Sequence, residues 1–155
     1  MANVLIGSYT ARLDASGRIK VPEKFREVIE QVYGKDLFVT SLSDDSIKIY
    51  PLSVWLAMTD LTSDGALHLR PDVRKFMLRV NRNGSRHELD SKGRVLISQA
   101  LREKARLRDE VEVLGLSNHL EIWNKDVLDG TLEEKPLSDQ DFESIARLIP
   151  RGKPE

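Results

Sequence analysis

At 155 residues, 40% hydrophobic and 32% charged, the chain has the length of one compact domain or two small ones and the balance of a globular protein with a heavily charged surface. It has no cysteine, which excludes disulfides, thiolate metal centres and cysteine nucleophiles. The net charge of −1 hides a polarity, because residues 1–69 carry −2, residues 70–108 carry +8 and residues 109–155 carry −7, so a local basic surface can coexist with an acidic tail.

Apolar positions at Leu5, Tyr9, Ala11 and Leu13 predict a strand, followed by a turn at Asp14-Ala15-Ser16-Gly17 whose glycine supplies a positive φ. Residues 18–21 return as a second strand. Pro22 suits a first helical position, Phe25, Val28, Ile29 and Val32 form an apolar stripe, and Gly34 is the stop. A hairpin is predicted next, with strands at 37–41 and 47–50 around Asp44-Asp45, and then a short helix capped by Ser53. Residues 71–81 read as a linking helix, with Val73, Met77 and Val80 on one stripe and Arg70, Arg74, Lys75 and Arg79 mostly elsewhere.

From here the chain repeats itself. Residues 89–103 align without gaps with residues 13–27, with identity at Leu13/Leu89, Asp14/Asp90, Gly17/Gly93, Arg18/Arg94, Arg26/Arg102 and Glu27/Glu103. A second block, 109–123, aligns with 36–50 and keeps Ile47/Leu120, Ile49/Ile122 and Tyr50/Trp123 in apolar register. Ser98 replaces Pro22 and can cap its helix by side-chain hydrogen bonding. The second hairpin is predicted at 110–114 and 120–123 around Ser117-Asn118, with Asn124 as the next cap. Beyond residue 131, Phe142, Ile145, Leu148 and Ile149 mark a short acidic helix before a frayed end. One copy alone is too small to bury its apolar face, so the two are expected to interlock in one barrel-like core.

The segments Gly7-Ser8-Tyr9-Thr10-Ala11-Arg12-Leu13-Asp14-Ala15-Ser16-Gly17-Arg18 and Glu88-Leu89-Asp90-Ser91-Lys92-Gly93-Arg94, with Gly115 to Trp123 behind the latter, resemble the paired signatures of the MraZ family of bacterial regulators. The resemblance covers about residues 5–128. It implies an α+β fold with a mostly β core: tandem SpoVT/AbrB-type repeats at 5–56 and 81–128 forming a swapped-hairpin β-barrel, a helical linker at 57–80 and an acidic tail at 129–155. It also implies a ring-like homo-oligomer that binds direct repeats in the promoter of its own division and cell wall gene cluster, usually as a repressor. The motif residues carried over by position are Asp14 and Arg18, and Asp90 and Arg94. Ser16 departs from the pattern, standing where the second copy has Lys92, and Ser98 stands where a proline is often found.

Arg18 and Arg94 directly follow turn glycines, where a β-hairpin can present a guanidinium to guanine or phosphate. The competing reading pairs each arginine with Asp14 or Asp90 to fix its turn. Arg18 is the stronger DNA candidate because Lys20 and Arg12 lie near it, whereas Arg94 has Leu96 in the matching place. Lys92, Arg86, Arg82, Arg79 and Arg74 can supply phosphate contacts, although Arg74, Lys75 and Arg79 also read as a solvated helix face. Asp14, Gly17, Asp90 and Gly93 are turn residues in either reading. Trp55 and Trp123 are expected to close the core.

Enzymatic readings lack ingredients. His68, His87 and His119 show no metal-ligand spacing, and neither a Gly-x-Ser-x-Gly elbow nor a phosphate-binding Gly-x-x-x-x-Gly-Lys loop occurs. No catalytic residue, metal, cofactor or small-molecule substrate is assigned. The N-terminal sequence lacks the basic start and long apolar stretch of a secretory signal, so a cytoplasmic, nucleoid-associated protein without a membrane partner is expected. The alternative to a regulator of transcription is an antitoxin-like protein-interaction module that uses the same barrel and the acidic stretch 126–143.

Overall fold

The computed structural model describes residues 4–60 and 69–149. Residues 61–68 of the predicted linker, His68 among them, and the predicted frayed end at 150–155 lie outside the described residues. The chain divides after Lys125 into two compact units.

The first unit opens with β1 (Leu5–Arg12), β2 (Arg18–Lys20) and α1 (Glu23–Val28), which runs on through a π-helical turn (Ile29–Tyr33). Then come β3 (Asp36–Thr40), β4 (Ile47–Pro51), α2 (Leu52–Met58) and α3 (Pro71–Asn83). The second copy supplies β5 (Ser85–Glu88), β6 (Arg94–Leu96), α4 (Gln99–Lys104), β7 (Glu110–Ser117) and β8 (Leu120–Trp123). Pro22 sits at the N-cap of α1, one place before the first helical residue, and Gly34 ends the helix at φ 88°. Ser98 Oγ accepts the Leu101 N–H at 3.3 Å, so serine does start α4 by side-chain capping. Ser53 does not cap α2: Pro51, fixed at φ −52°, ends β4 and takes the cap position, which leaves Ser53 inside the helix.

The copies are exchanged strand by strand. The large sheet has the order β1-β7-β8-β4-β3-β5 with every neighbour antiparallel, so the first strand of each copy pairs with the third strand of the other. Strands β2 and β6 leave it at the Asp-x-x-Gly turns and pair with each other. The expected α+β fold with an antiparallel β core is therefore present, but the barrel is not closed. β1 and β5 are the two edges of the large sheet, because the second strands, which would have to continue it, form their own ribbon. Apart from the isolated bridge Leu13↔Ile19, no ladder joins ribbon to sheet among the described residues.

A pseudo-twofold axis follows from the register. Ile19 faces Val95 in the ribbon and Lys48 faces Glu121 in the sheet, and both are pairs of repeat-equivalent residues. Side chains of both copies make the main core, including Ile19, Val21, Phe25, Leu37, Val95, Ile97, Leu101 and Val111. Trp55 belongs to a smaller cluster with Phe38, Tyr50 and Val80, its ring stacked on Phe38 at 4.8 Å. Trp123 is buried and donates its indole N–H to Glu121 at 2.9 Å.

A true homodimer would oppose identical residues at its axis, whereas one duplicated chain can oppose opposite charges there. Lys48 Nζ pairs with Glu121 Oε2, and His119, stacked on Tyr50 at 4.6 Å, stands 3.7 Å from the same carboxylate. Burial alone would raise the Glu121 pKa, but the adjacent His119 and the hydrogen bonds from Lys48 and Trp123 bring it down to about 2. The stability that Glu121 confers is therefore full above its ordinary value of 4.5 and is lost as pH falls from there towards 2. We expect up to about 3 kcal/mol to disappear across that window. Thermal melts at stepped pH should show a steeper acid-side fall in Tm for the wild type than for Glu121→Gln; equal slopes would remove Glu121 as the cause.

The second unit takes in α5 (Lys125–Glu134) from its second residue onward and α6 (Asp139–Leu148). Ser138 and Asp141 form a reciprocal capping box at the start of α6. Phe142, Ile145 and Leu148 of that helix are exposed.

Candidate nucleic-acid interface

Each Asp-x-x-x-Arg motif builds the same turn. Asp14 Oδ1 accepts the N–H groups of Ser16 and Arg18, both at 2.9 Å, while Asp90 Oδ1 accepts those of Lys92 and Arg94 at 2.9 and 2.8 Å. The Gly17 and Gly93 N–H groups donate back to the carbonyls of Asp14 and Asp90. These bonds fix the aspartates as ionised acceptors: the Ser16 hydroxyl and the Arg18 N–H lower the Asp14 pKa, and the Arg94 N–H and side chain lower that of Asp90. Gly17 and Gly93 take φ of 84° and 74°, the left-handed region expected of them.

Between the turns, β2 and β6 form a ribbon in which Arg18 faces Leu96 and Lys20 faces Arg94. Ile19 and Val95 are buried beneath it. Alternation then places Arg18, Lys20, Arg94 and Leu96 on its outer face. Val21 N–H to Gly93 carbonyl and Ile97 N–H to Gly17 carbonyl, both 2.9 Å, tie each strand end to the opposite turn.

The two motif arginines differ in their partners. Arg94 donates to Asp90 at 2.9 Å and to Asp14 at 3.4 Å, stitching the two turns together. Arg18 reaches only the Ser16 hydroxyl, at 3.1 Å, and has no carboxylate within ion-pair distance among the described residues. Its charge acts on His87, whose pKa is lowered first by burial and then by Arg18. Ser16 stands where the second copy has Lys92: its hydroxyl donates to Asp14 Oδ1 at 2.6 Å and accepts from Arg18, while the other oxygen of that carboxylate meets Arg94. The sequence favoured Arg18 for DNA while leaving an aspartate pairing open for both arginines, and Arg94 is the one that pairs with both turn aspartates.

Of the other predicted contacts, Lys20 is exposed on the ribbon face and Lys92 is exposed in the adjoining turn. Arg12 ends β1 opposite Glu110, and Arg86 lies on β5, 3.3 Å from Asp36; both belong to the large sheet and not to the ribbon. Among the described residues no group of three or more His, Asp or Glu side chains could hold a metal ion, and no helix is long and apolar enough to cross a membrane.

Comparison with known proteins places this geometry. Residues 82–147 match the family profile described as "MraZ protein, putative antitoxin-like". A relative from Acidobacterium capsulatum, named Transcriptional regulator MraZ, is 34% identical over 142 residues, covering 92% of this chain and 97% of its own. The chain belongs to the MraZ family. Proteins of the same name from Finegoldia magna and Natranaerobius thermophilus are 34% and 31% identical, over 82% and 96% of their own lengths.

In this MraZ-family chain, sequence reasoning passed over two site-shaping residues. Arg26 of α1 lies over Gly93, and Arg102 of α4 lies over Gly17, so each copy's helix arginine covers the other copy's turn glycine. A Cβ on Gly93 would stand 2.7 Å from Arg26 Cδ, and one on Gly17 would stand 3.0 Å from Arg102 Cζ. Arg26 Nη2 donates to the Ser91 carbonyl at 3.2 Å, and Arg102 Nε donates to the Ile97 carbonyl at 3.0 Å. The available signal was their identity between the copies, at the same offset as the turn glycines.

Proposed function

We propose that this chain is a sequence-specific DNA-binding transcriptional regulator that reads the major groove with the β2/β6 ribbon, and that it has no catalytic role. The observation that carries the reading is Arg18, an arginine with no carboxylate partner among the described residues, on the outer face of a two-stranded ribbon beside Lys20. A two-stranded ribbon fits the major groove, and arginine pairs bidentately with the O6 and N7 of guanine. Side chains two residues apart on a strand are separated by about 6.6 Å, close to two base-pair steps, so Arg18 and Lys20 can address neighbouring pairs. Lys92 and Arg94 contribute positive charge on the far half of the ribbon, and Arg12 and Arg86 contribute phosphate contacts outside it.

The ribbon is symmetric in backbone and asymmetric in chemistry. Lys20 is matched by Leu96, Ser16 by Lys92, and an arginine held by a serine hydroxyl by one held by two carboxylates. Such a face suits a non-palindromic site, which supports binding to direct repeats. A ring-like homo-oligomer would present several ribbons to adjacent repeats, and the effective concentration of the second contact raises affinity by about 10²–10⁴. Occlusion of the promoter of its own division and cell wall gene cluster would make it a repressor. The test is an anisotropy titration of duplexes carrying one repeat or several at native spacing. Repeat number should raise affinity by at least about tenfold, and inserting about half a helical turn between repeats should abolish the gain; equal binding to all three duplexes would overturn the avidity mechanism.

A second reading, capture of a protein partner, is favoured by one observation: α6 is capped at its start yet exposes Phe142, Ile145 and Leu148. Deleting the tail should leave promoter binding intact under the first reading and abolish partner capture under the second.

A further inference from the structure

Beyond the ribbon, a second cationic surface lies where the end of α3 meets the end of α4. Lys75, Arg79 and Arg82 follow one another at helical spacing along α3, and Lys104 joins them from α4. Together with Asp44 and Asn83 they line a concavity of about 480 Å³. The side chains Lys75, Arg82 and Lys104 are exposed and have no carboxylate within ion-pair distance among the described residues. Arg79 is paired with Asp44 at 3.5 Å, and Asn83 Oδ1 accepts the Lys104 ammonium at 3.2 Å. Four cations against one carboxylate in a concave site focus a positive field. The row from Lys75 to Arg82 spans about 10 Å of helix.

We infer that this concavity is a second contact for the DNA backbone, binding phosphates without regard to sequence while the ribbon reads the bases. The inference rests on the DNA-binding reading and deepens it. Two features favour phosphate over base edges. Lys75 and Lys104 carry ammonium groups, which are point charges rather than planar readers, and two of the groups that could read a base edge are already engaged, Arg79 by Asp44 and Asn83 by Lys104. The site also explains why the basic run of the sequence extends well past the ribbon: part of it converges here from two helices that are separated in the chain.

The test measures the salt dependence of duplex binding by fluorescence anisotropy. It compares the wild type, the triple variant Lys75→Gln/Arg82→Gln/Lys104→Gln and the charge-keeping triple Lys75→Arg/Arg82→Lys/Lys104→Arg, each on promoter and shuffled duplexes. The neutral triple should weaken binding to both duplexes by the same factor and make the slope of log affinity against log salt shallower by about 2–3, as each lost phosphate contact removes about 0.9. The charge-keeping triple should bind as the wild type does. An unchanged slope in the neutral triple, or a loss confined to the promoter duplex, would overturn the inference. If the wild type binds neither duplex, the DNA-binding reading fails and takes this site with it. If the wild type prefers its promoter and Arg18→Ala abolishes that preference while the neutral triple changes nothing, the second site alone fails.

Discussion

Replacing Gly115 with alanine should destabilise the protein more than any exposed substitution. Gly115 lies in β7 opposite Gly7 of β1, where the β1 backbone crosses so closely that a Cβ would stand 2.6 Å from both Ile6 N and Leu5 C. The Leu5–Ile6 peptide cannot yield as a flexible side chain can, and Phe25 Cε1, at 2.9 Å, crowds the same position. The added methyl must lift β1 off β7 and open the exchange that joins the two copies. We expect a loss of about 3 kcal/mol, the upper range for overpacking, and a Tm fall of roughly 10 °C for a protein of this size. Gly130→Ala, in α5 with nothing within 4 Å of its Cβ position, is the matched control and should leave Tm unchanged or raise it. A wild-type Tm for Gly115→Ala would show that β1 is not seated on β7.

The second large effect is on binding. Arg18→Ala should lower affinity for the promoter repeat by about 1–3 kcal/mol, the cost of one bidentate base contact, and should weaken shuffled duplex far less. Because Arg18 makes no ion pair among the described residues, its removal should leave Tm close to the wild-type value. Arg94→Ala should show the opposite profile. It leaves the Asp14 and Asp90 carboxylates without the guanidinium that bridges them, so it should loosen both turns, lower Tm and reduce binding to promoter and shuffled duplex together. Identical profiles for the two variants would mean that the motif arginines share one role.

Local chemistry made much of the fold readable. The Asp-x-x-Gly turns, the glycine stop at Gly34, the Ser98 cap and the strand at 120–123 all depend on residues close in sequence, and each stands where the sequence placed it. The duplication was equally plain, because two copies of one turn are an internal control. What the residues alone did not disclose were relations between the copies. Gly115 was visible only as a motif residue, since the backbone that forbids it a side chain is more than 100 residues away. Arg26 and Arg102 were seen as identical yet received no role, because each acts on the opposite copy's turn. The division of labour between Arg18 and Arg94 was legible only in outline, from the cations beside Arg18, and the contacts behind it were not. The Arg18 guanidinium meets the Ser16 hydroxyl, while the second oxygen of Asp14 is met by Arg94, far along the chain. That the barrel stays open was unreadable for a related reason: strand count predicts enough β structure, but whether β2 and β6 pair with the sheet or with each other is decided by contacts between copies.

The most direct test of the central claim, that Arg18 reads a base in the major groove, is a binding cycle on the promoter repeat with guanine replaced by 7-deazaguanine, which removes the N7 acceptor and keeps the base pair. Wild type should lose about 1–3 kcal/mol on the substituted duplex, and Arg18→Ala should lose nothing further, so the two changes do not add. Full additivity, with Arg18→Ala as sensitive to the missing N7 as the wild type, would show that Arg18 does not contact guanine and would contradict the account.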